Sequence, residues 1–337
     1  MTGDGSPRYR RSPHLLVGWE GTDLVLTQCD SMRRFRVDDQ LVAFLSRLDD
    51  WYSPAELALG GDAASAEVLD RMHEMGVVDR EQAPAGAGLW NPFDLAVQRQ
   101  QNVGGERDDL DRHGPPPAAF KDRPQARVTA LPAPRPLDVR LDHALASRRS
   151  LRSYREGAMA LADLSSLLHH SARVVETVED EHLGQQAFHP YASAGARSEL
   201  EVYAVANHLE GLERGAHWYD ARAHELVLVR AADEGLDDIN RWVSEATGGL
   251  SRPPQVILLV TAVFARIMWK YSGIGLSLIA RDVGCLYQTL YLAATALGLA
   301  PCGIGAGPEL ANARWLGLDP LVESQVGCVL VGLKDGA

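Results

Sequence analysis

Lys270 and Tyr271 stand side by side in the stretch Trp269-Lys270-Tyr271, just before a long apolar segment. A phenol with a pKa of about 10 and an ammonium of about 10.4 are both poor bases in water. In a pocket, a neighbouring ammonium favours the phenolate, and desolvation favours the neutral amine. Either route yields a base that works near neutrality. A lysine at a strand end beside a packing tyrosine would look the same, so the pair gains meaning only from its companions. Arg148-Arg149-Ser150-Leu151-Arg152 gathers three guanidinium groups around a hydroxyl, a donor set suited to gripping a phosphate bidentately. Taken alone it could equally be a solvated basic patch. Residues 190–197, Pro-Tyr-Ala-Ser-Ala-Gly-Ala-Arg, lack bulk, so backbone can lie against a flat ring with Ser193 and the nearby amides as donors. A plain tight turn is the competing reading. Cys302-Gly303-Ile304-Gly305-Ala306-Gly307 reads as a glycine-rich turn closing the long helix. It follows a helix instead of opening one after a strand, which disfavours a nicotinamide-binding Rossmann domain.

These stretches fall in a mixed α/β region, residues 137–337. Helices are expected over 138–146, over 161–170 with Leu164, Leu167 and Leu168 inward, and over about 276–297. The last of these carries Ile279, Val283, Leu286, Leu290 and Ala293 along one face. Leu200–Ala206 alternates as a strand, 215–220 with 225–229 forms a hairpin, and 326–332 closes the chain as a strand. The unbroken apolar run 256–263 predicts a strand buried on both faces. Upstream, residues 83–136 hold Ala-Pro-Ala-Gly-Ala-Gly at 83–88, Pro115-Pro116-Pro117, and further prolines at 132–136. Such a stretch links or wraps, with room for one helix over 93–103.

Residues 1–82 form a small module of their own. A hairpin is expected around Glu20-Gly21-Thr22, followed by a helix capped by Asp38 with Leu41, Phe44, Leu45 and Leu48 inward. Ser53-Pro54-Ala55-Glu56 is a capping box opening a second helix. A third spans 65–75, with Val68, Leu69 and Met72 inward, and Gly76 stops it before a strand at 77–78. The pattern is winged-helix-like.

Such modules often bind DNA, and Arg33, Arg34 and Arg36 cluster here. A formal charge of −12 and a pI of about 5.4 argue against a nucleic-acid partner. Docking of a peptide against a strand edge suits the module better. Four scattered cysteines (Cys29, Cys285, Cys302, Cys328) give neither a zinc pattern nor a disulfide framework, so no metal is expected. The first residues lack the apolar core of a signal peptide, and the apolar runs 256–264 and 290–300 are too short to span a bilayer. A cytoplasmic protein without membrane partners is the expectation.

The chain resembles the nitroreductase superfamily, and within it the SagB-type (McbC-like) FMN-dependent azoline dehydrogenases of ribosomal peptide natural product biosynthesis. The resemblance is carried by Arg-Arg-Ser-Leu-Arg-Ser-Tyr at 148–154, Tyr-Ala-Ser-Ala-Gly-Ala-Arg-Ser-Glu-Leu-Glu-Val-Tyr at 191–203, and Trp-Lys-Tyr at 269–271. It continues through Arg-Asp-Val-Gly at 281–284, Gln-Thr-Leu-Tyr-Leu-Ala-Ala-Thr-Ala-Leu-Gly-Leu at 288–299, and Leu-Gly-Leu-Asp at 316–319. It implies an α+β fold with a mixed FMN-binding sheet flanked by helices, and a homodimer with FMN at the subunit interface. Arg148, Arg149, Ser150 and Arg152 would hold the phosphate and ribityl chain. Ser193, Ala194 and Gly195 would line the isoalloxazine, with Gly303 and Gly305 completing the pocket. Lys270 and Tyr271 become the implied catalytic pair, acting on a thiazoline or oxazoline in a modified precursor peptide. The upstream module would recognise the leader peptide, and a cyclodehydratase complex would be a partner. This chain has Ser272-Gly273-Ile274-Gly275 where family members often carry an arginine, and Ala194 where Ser-Gly-Gly-Ala is common. An NAD(P)H-dependent reductase of a dehydroamino acid, nitro or enone group on the same scaffold is the alternative enzyme. A non-catalytic peptide-docking protein is the alternative of another class.

Overall fold

The computed structural model describes residues 7–57, 63–81, 89–305 and 307–335. The chain divides into two compact units, Met1–Gly105 and Glu106–Ala337. In order, the elements are β1 (Tyr9–Arg11), β2 (Leu15–Glu20), β3 (Asp23–Gln28), β4 (Arg33–Val37), α1 (Asp39–Ser46), α2 (Ala63–Glu74), β5 (Val78–Arg80), α3 (Pro92–Gln100) and β6 (Gly105–Glu106). Then come β7 (Val128–Ala130), α4 (Leu141–Ser147), α5 (Leu161–Ala172), β8 (Glu176–Asp180), β9 (Gly184–Phe188), β10 (Leu200–Ala206), β11 (Gly215–Asp220), β12 (Glu225–Ala231) and α6 (Glu234–Ala246). The chain ends with β13 (Val256–Val263), α7 (Phe264–Met268), β14 (Tyr271–Ser272), α8 (Gly275–Ala296), β15 (Leu299–Ile304), α9 (Glu309–Trp315) and β16 (Glu323–Leu333).

In the first unit, β2, β3 and β4 form an antiparallel meander, and β1 pairs with β5. Asp38 caps α1 as expected, its carboxylate accepting the Leu41 amide at 2.8 Å. Tyr9, Leu26, Leu45, Leu48, Leu57, Leu69 and Val78 share one core. Ser53 and Glu56 do form the reciprocal bonds of a capping box. Most of the helix it was expected to open lies outside the described residues, as does the 83–88 run. Val68 points to solvent, contrary to the expected inward face, because Leu69 and Met72 already fill the core on that side of α2. The strand β1 was not foreseen, since three residues are too short to show a period.

In the second unit seven strands form one sheet in the order β15-β16-β13-β10-β11-β12-β7. Every pairing in this sheet is antiparallel among the described residues, so it is not the mixed sheet expected. The reason is that an apolar run records only whether both faces are covered, and both are, with no information on strand direction. On β13, Val256, Leu258, Val260 and Ala262 face a core shared with α5 and α8. Ile257 and Leu259 face a second core shared with α6 and α9. The result is an α+β sandwich with helices on both sides. The strand β13, buried from Val256 to Ala262, lies between β16 and β10, and it delivers the chain directly into α7 and the Trp269-Lys270-Tyr271 stretch. The glycine-rich turn expected at 302–307 is partly a strand instead. Pairing of β15 with β16 places Gly303 opposite Val329, inside the sheet. No helix among the described residues is long and apolar enough to cross a membrane.

Candidate functional site

The short helix α7 turns the chain so that Lys270 lies inward. The residue is only 7% exposed, and its Nζ reaches Glu106 Oε1 at 3.3 Å. The Nζ sits 5.5 Å from the centroid of the Tyr271 ring. The stretch is tied down from outside. The Arg107 amide donates to Lys270 O at 2.9 Å, Arg107 Nε to Met268 O at 3.3 Å, and Trp269 Nε1 to Gly114 O at 3.1 Å. The guanidinium of the buried Arg197 stacks over Trp269 at 5.4 Å.

The small-residue segment comes to the same place. Gly195 has φ +59°, and a Cβ there would stand 2.6 Å from Tyr271 Oη and 3.3 Å from Lys270 Nζ. Ala196 and Ser198 also hold positive φ, near +50°, an uncommon conformation for residues with side chains. Such strain persists where the surroundings over-determine the backbone. Here they do: the Ala194 amide donates to Asp282 Oδ2 at 2.7 Å, and the Ser193 hydroxyl donates to Glu199 Oε2 at 3.1 Å. Burial, reinforced by the neighbouring Asp282 carboxyl, pushes the Glu199 pKa up to about 8. A cleft of about 600 Å³ opens in front of this turn, lined by residues including Phe188, Tyr191, Ser193, Gly195 and Lys270. Gly195→Ala is expected to displace Tyr271 and weaken ligand binding in this cleft at least tenfold, with the melting temperature of the chain shifting by only a few degrees. Titration of ligand affinity beside thermal melting checks this.

A second cluster forms where α4 ends. Ser150 Oγ and Tyr291 Oη lie 2.8 Å apart, and the Gly303 amide donates to the same Tyr291 oxygen at 2.6 Å. The Arg148 guanidinium stacks on the Tyr291 ring at 5.2 Å. Arg149 Nη1 donates to the carbonyls of Ala146 and Arg148, closing the end of α4. Arg152 lies within hydrogen-bond reach of the Cys302 thiol, whose pKa burial raises. No carboxylate pairs with Arg148, Arg149 or Arg152 among the described residues, in a chain with 45 acidic residues.

The structure therefore joins the expected residues into two groups. Lys270, Tyr271, Ser193, Ala194 and Gly195 form one; Arg148, Ser150, Arg152 and Gly303 form the other. Asp282 and Tyr291, which back the two groups, both belong to α8 and stand roughly 13 Å apart along its axis. Gly305 joins neither: it lines a separate cleft of about 300 Å³ with Gly307, Gln325 and Gly327. Glu106, Glu199, Asp282 and Tyr291 were not singled out from the sequence. A signal existed for Glu199, since a carboxylate beside an otherwise apolar strand must find a partner.

The family assignment follows from the sequence match over this unit. Residues 145–333, more than half of the chain, match the profile described as "Nitroreductase family". The chain belongs to the nitroreductase family. It is similar to the nitroreductase-type protein MJ1384 of Methanocaldococcus jannaschii, 28% identical over 169 residues covering 50% of this chain and 80% of that one. It is also similar to the trifolitoxin-processing protein TfxB of Rhizobium leguminosarum bv. trifolii, 27% identical over 175 residues, 51% of this chain and 47% of that protein. A crystal structure of a nitroreductase-type protein from Anabaena variabilis ATCC 29413 superposes with a TM-score of 0.51 at 21% identity. It covers 70% of this chain and 45% of that one, and shares the fold. The chain thus spans about half the length of the last two.

Nitroreductase-family proteins are typically FMN-dependent oxidoreductases. The residues present suit that group. Arg148, on the Tyr291 ring that also meets Ser150, and Arg152, beside Cys302, have no carboxylate partner among the described residues, a donor set that suits a phosphate. The 193–195 turn presents a glycine whose missing Cβ lets the Tyr271 hydroxyl and the Lys270 ammonium come up against its backbone.

Proposed function

We propose that this nitroreductase-family oxidoreductase is an FMN-dependent azoline dehydrogenase, converting thiazoline or oxazoline rings of a ribosomally made peptide to thiazole or oxazole. The observation that carries the reading is the meeting of Lys270 and Tyr271 at the Gly195 turn, at the edge of a cleft wide enough for a peptide ring. That a relative is a trifolitoxin-processing protein supports a peptide substrate. Arg148, Arg149, Ser150 and Arg152 would hold the phosphate and ribityl end of FMN. Ser193, Ala194, Gly195 and Gly303 border its ring system, and Gly305 belongs to the site through a second copy in a homodimer. FMN held there would supply the two-electron redox chemistry, with the ring β-carbon as hydride source and oxygen as final acceptor.

The chain's own residues do the rest. Lys270 or Tyr271 removes the proton from the ring α-carbon, which the adjacent carbonyl and imine acidify. Glu106, ion-paired to Lys270 at 3.3 Å, holds that ammonium in place beside the phenol. Residues 1–82 serve as a winged-helix-like module for the leader peptide, joined in sequence by 83–136 to the 137–337 catalytic domain. A cyclodehydratase supplies the azoline.

The test is incubation of the FMN-loaded protein with an azoline-bearing peptide in air. Loss of two hydrogens per ring by mass spectrometry, with oxygen uptake and no nicotinamide, is the expected result. Turnover that appears only with added NAD(P)H would instead establish a reductase.

A further inference from the structure

Beneath the 193–195 turn lie two carboxyl groups that the proposed reaction leaves without a role. Glu199 is fully buried and Asp282 nearly so. Asp282 Oδ2 takes the Ala194 amide, and Glu199 Oε2 takes the Ser193 hydroxyl. Glu199 Oε1 is then buried with no hydrogen-bond partner among the described residues, and the neighbouring Asp282 carboxyl, with burial, holds the Glu199 pKa up. Two carboxyl groups bond to each other only when one of them carries a proton, because ionised carboxylates are acceptors only. A proton on Oε1 resolves both facts at once.

We propose that Glu199 and Asp282 share a single proton, and that this protonated pair is the clamp holding the Ser193–Gly195 turn against Lys270 and Tyr271. Both are positioning residues acting through the turn. The inference draws on the reading above only in taking that turn as part of the FMN site. Ionised Asp282 accepts from the Ala194 amide and from the Glu199 carboxyl. When the shared proton leaves, two negative charges face each other in a buried space and the turn loses its backing.

Several charged or titratable groups face the pair. From β10 and the preceding segment come Tyr191, Arg197 and Glu201, and from α7 comes Arg266. Lys270 and Tyr271 stand across the turn, and Arg281 flanks Asp282 on α8. No arginine or lysine ion-pairs with either carboxyl among the described residues. With Glu199 pushed up to about 8, the clamp is closed at neutral pH and opens in mild alkali.

The linkage has a definite sign. A carboxyl whose folded pKa lies above its usual 4.5 gives stability that is complete below 4.5 and is lost as pH rises through about 8. Glutamine at this position offers a permanent N–H to Asp282 and removes the titration.

The experiment uses the full chain with FMN, following quenching of flavin fluorescence and thermal melting from pH 6 to 9.5. Wild type should lose at least tenfold in FMN affinity across that range. Glu199→Gln should bind FMN as wild type does at pH 7 and keep that affinity in alkali. Its melting advantage over wild type should widen up to pH 8 and then level. Glu199→Ala and Asp282→Ala should bind weakly at every pH. A Glu199→Gln variant that titrates like wild type, or binds as weakly at pH 7 as Glu199→Ala, overturns the clamp. If wild type takes up no FMN, the cofactor reading falls while the melting comparison still decides the clamp. Absence of azoline turnover bears on the proposed reaction alone.

Discussion

Tyr271→Phe and Lys270→Met, made separately, are expected to lower azoline oxidation by about 10²–10⁴-fold while the purified protein stays yellow, the usual range for losing a positioned base. Tyr271→Phe removes one oxygen, the atom nearest to where a Gly195 Cβ would stand. The ring itself, packed on the main core, stays. Lys270→Met keeps most of the stem that fills the buried site and removes only the ammonium. Its partner Glu106 is half-exposed and returns to water, so the change in stability should be under about 1 kcal/mol. Flavin content by absorbance, melting temperature and the rate of two-hydrogen loss from the peptide together separate the roles. If the two variants both turn over at rates near wild type, the pair is packing and not chemistry.

The largest effect on folding is expected at Arg266 and Glu201. Arg266 is almost wholly buried, and its Nη1 donates to Glu201 Oε1 and to Ser198 O, both at 2.7 Å. Its Nε donates to Ala118 O at 2.9 Å. Glu201 Oε2 accepts the Trp218 indole N–H at 2.7 Å. Burial pushes the Glu201 pKa up, and Arg266 and Lys121 pull it back down. Removing one partner strands the other charge in a low-dielectric interior, which costs about 3–5 kcal/mol. For a domain of this size that corresponds to a melting temperature lower by roughly 6–20 °C. Arg266→Met and Glu201→Gln should each show it. The double variant should fall short of the sum, because neither charge is then left alone. Additive losses by chemical denaturation would mean that the pair is not coupled.

What the sequence disclosed and what it hid have separate physical causes. The run at 256–263 was legible because both of its faces are buried, so no polar residue breaks it. Asp38 was legible because capping depends on a few neighbouring residues. Strand order and direction were not, since they arise from pairings between residues far apart, such as Thr261 with Gln325. Gly303 looked like a turn because two glycines flank Ile304, yet its place in β15 is set by β16 alongside it. Lys270, Tyr271 and the small-residue segment were found by type, but their meeting at Gly195 is a tertiary fact. Glu199 and Asp282 escaped for the same reason. The apolar strand beside Glu199 signals that its carboxylate needs a partner, but only the fold shows that Asp282 lies next to it.

Because Asp282 and Tyr291 sit on one unbroken helix, α8 acts as a ruler between the two halves of the site. Its length between these residues is a count of peptide units, not an adjustable gap. Adding or deleting one residue there would move Tyr291 by about 1.5 Å and swing it by about 100° around the axis, away from Ser150 and Gly303. Loops that carry no residue of the site can lengthen without touching the chemistry. This interval tolerates exchange of side chains but not a change of number, so the distance between the two groups is written into helical register.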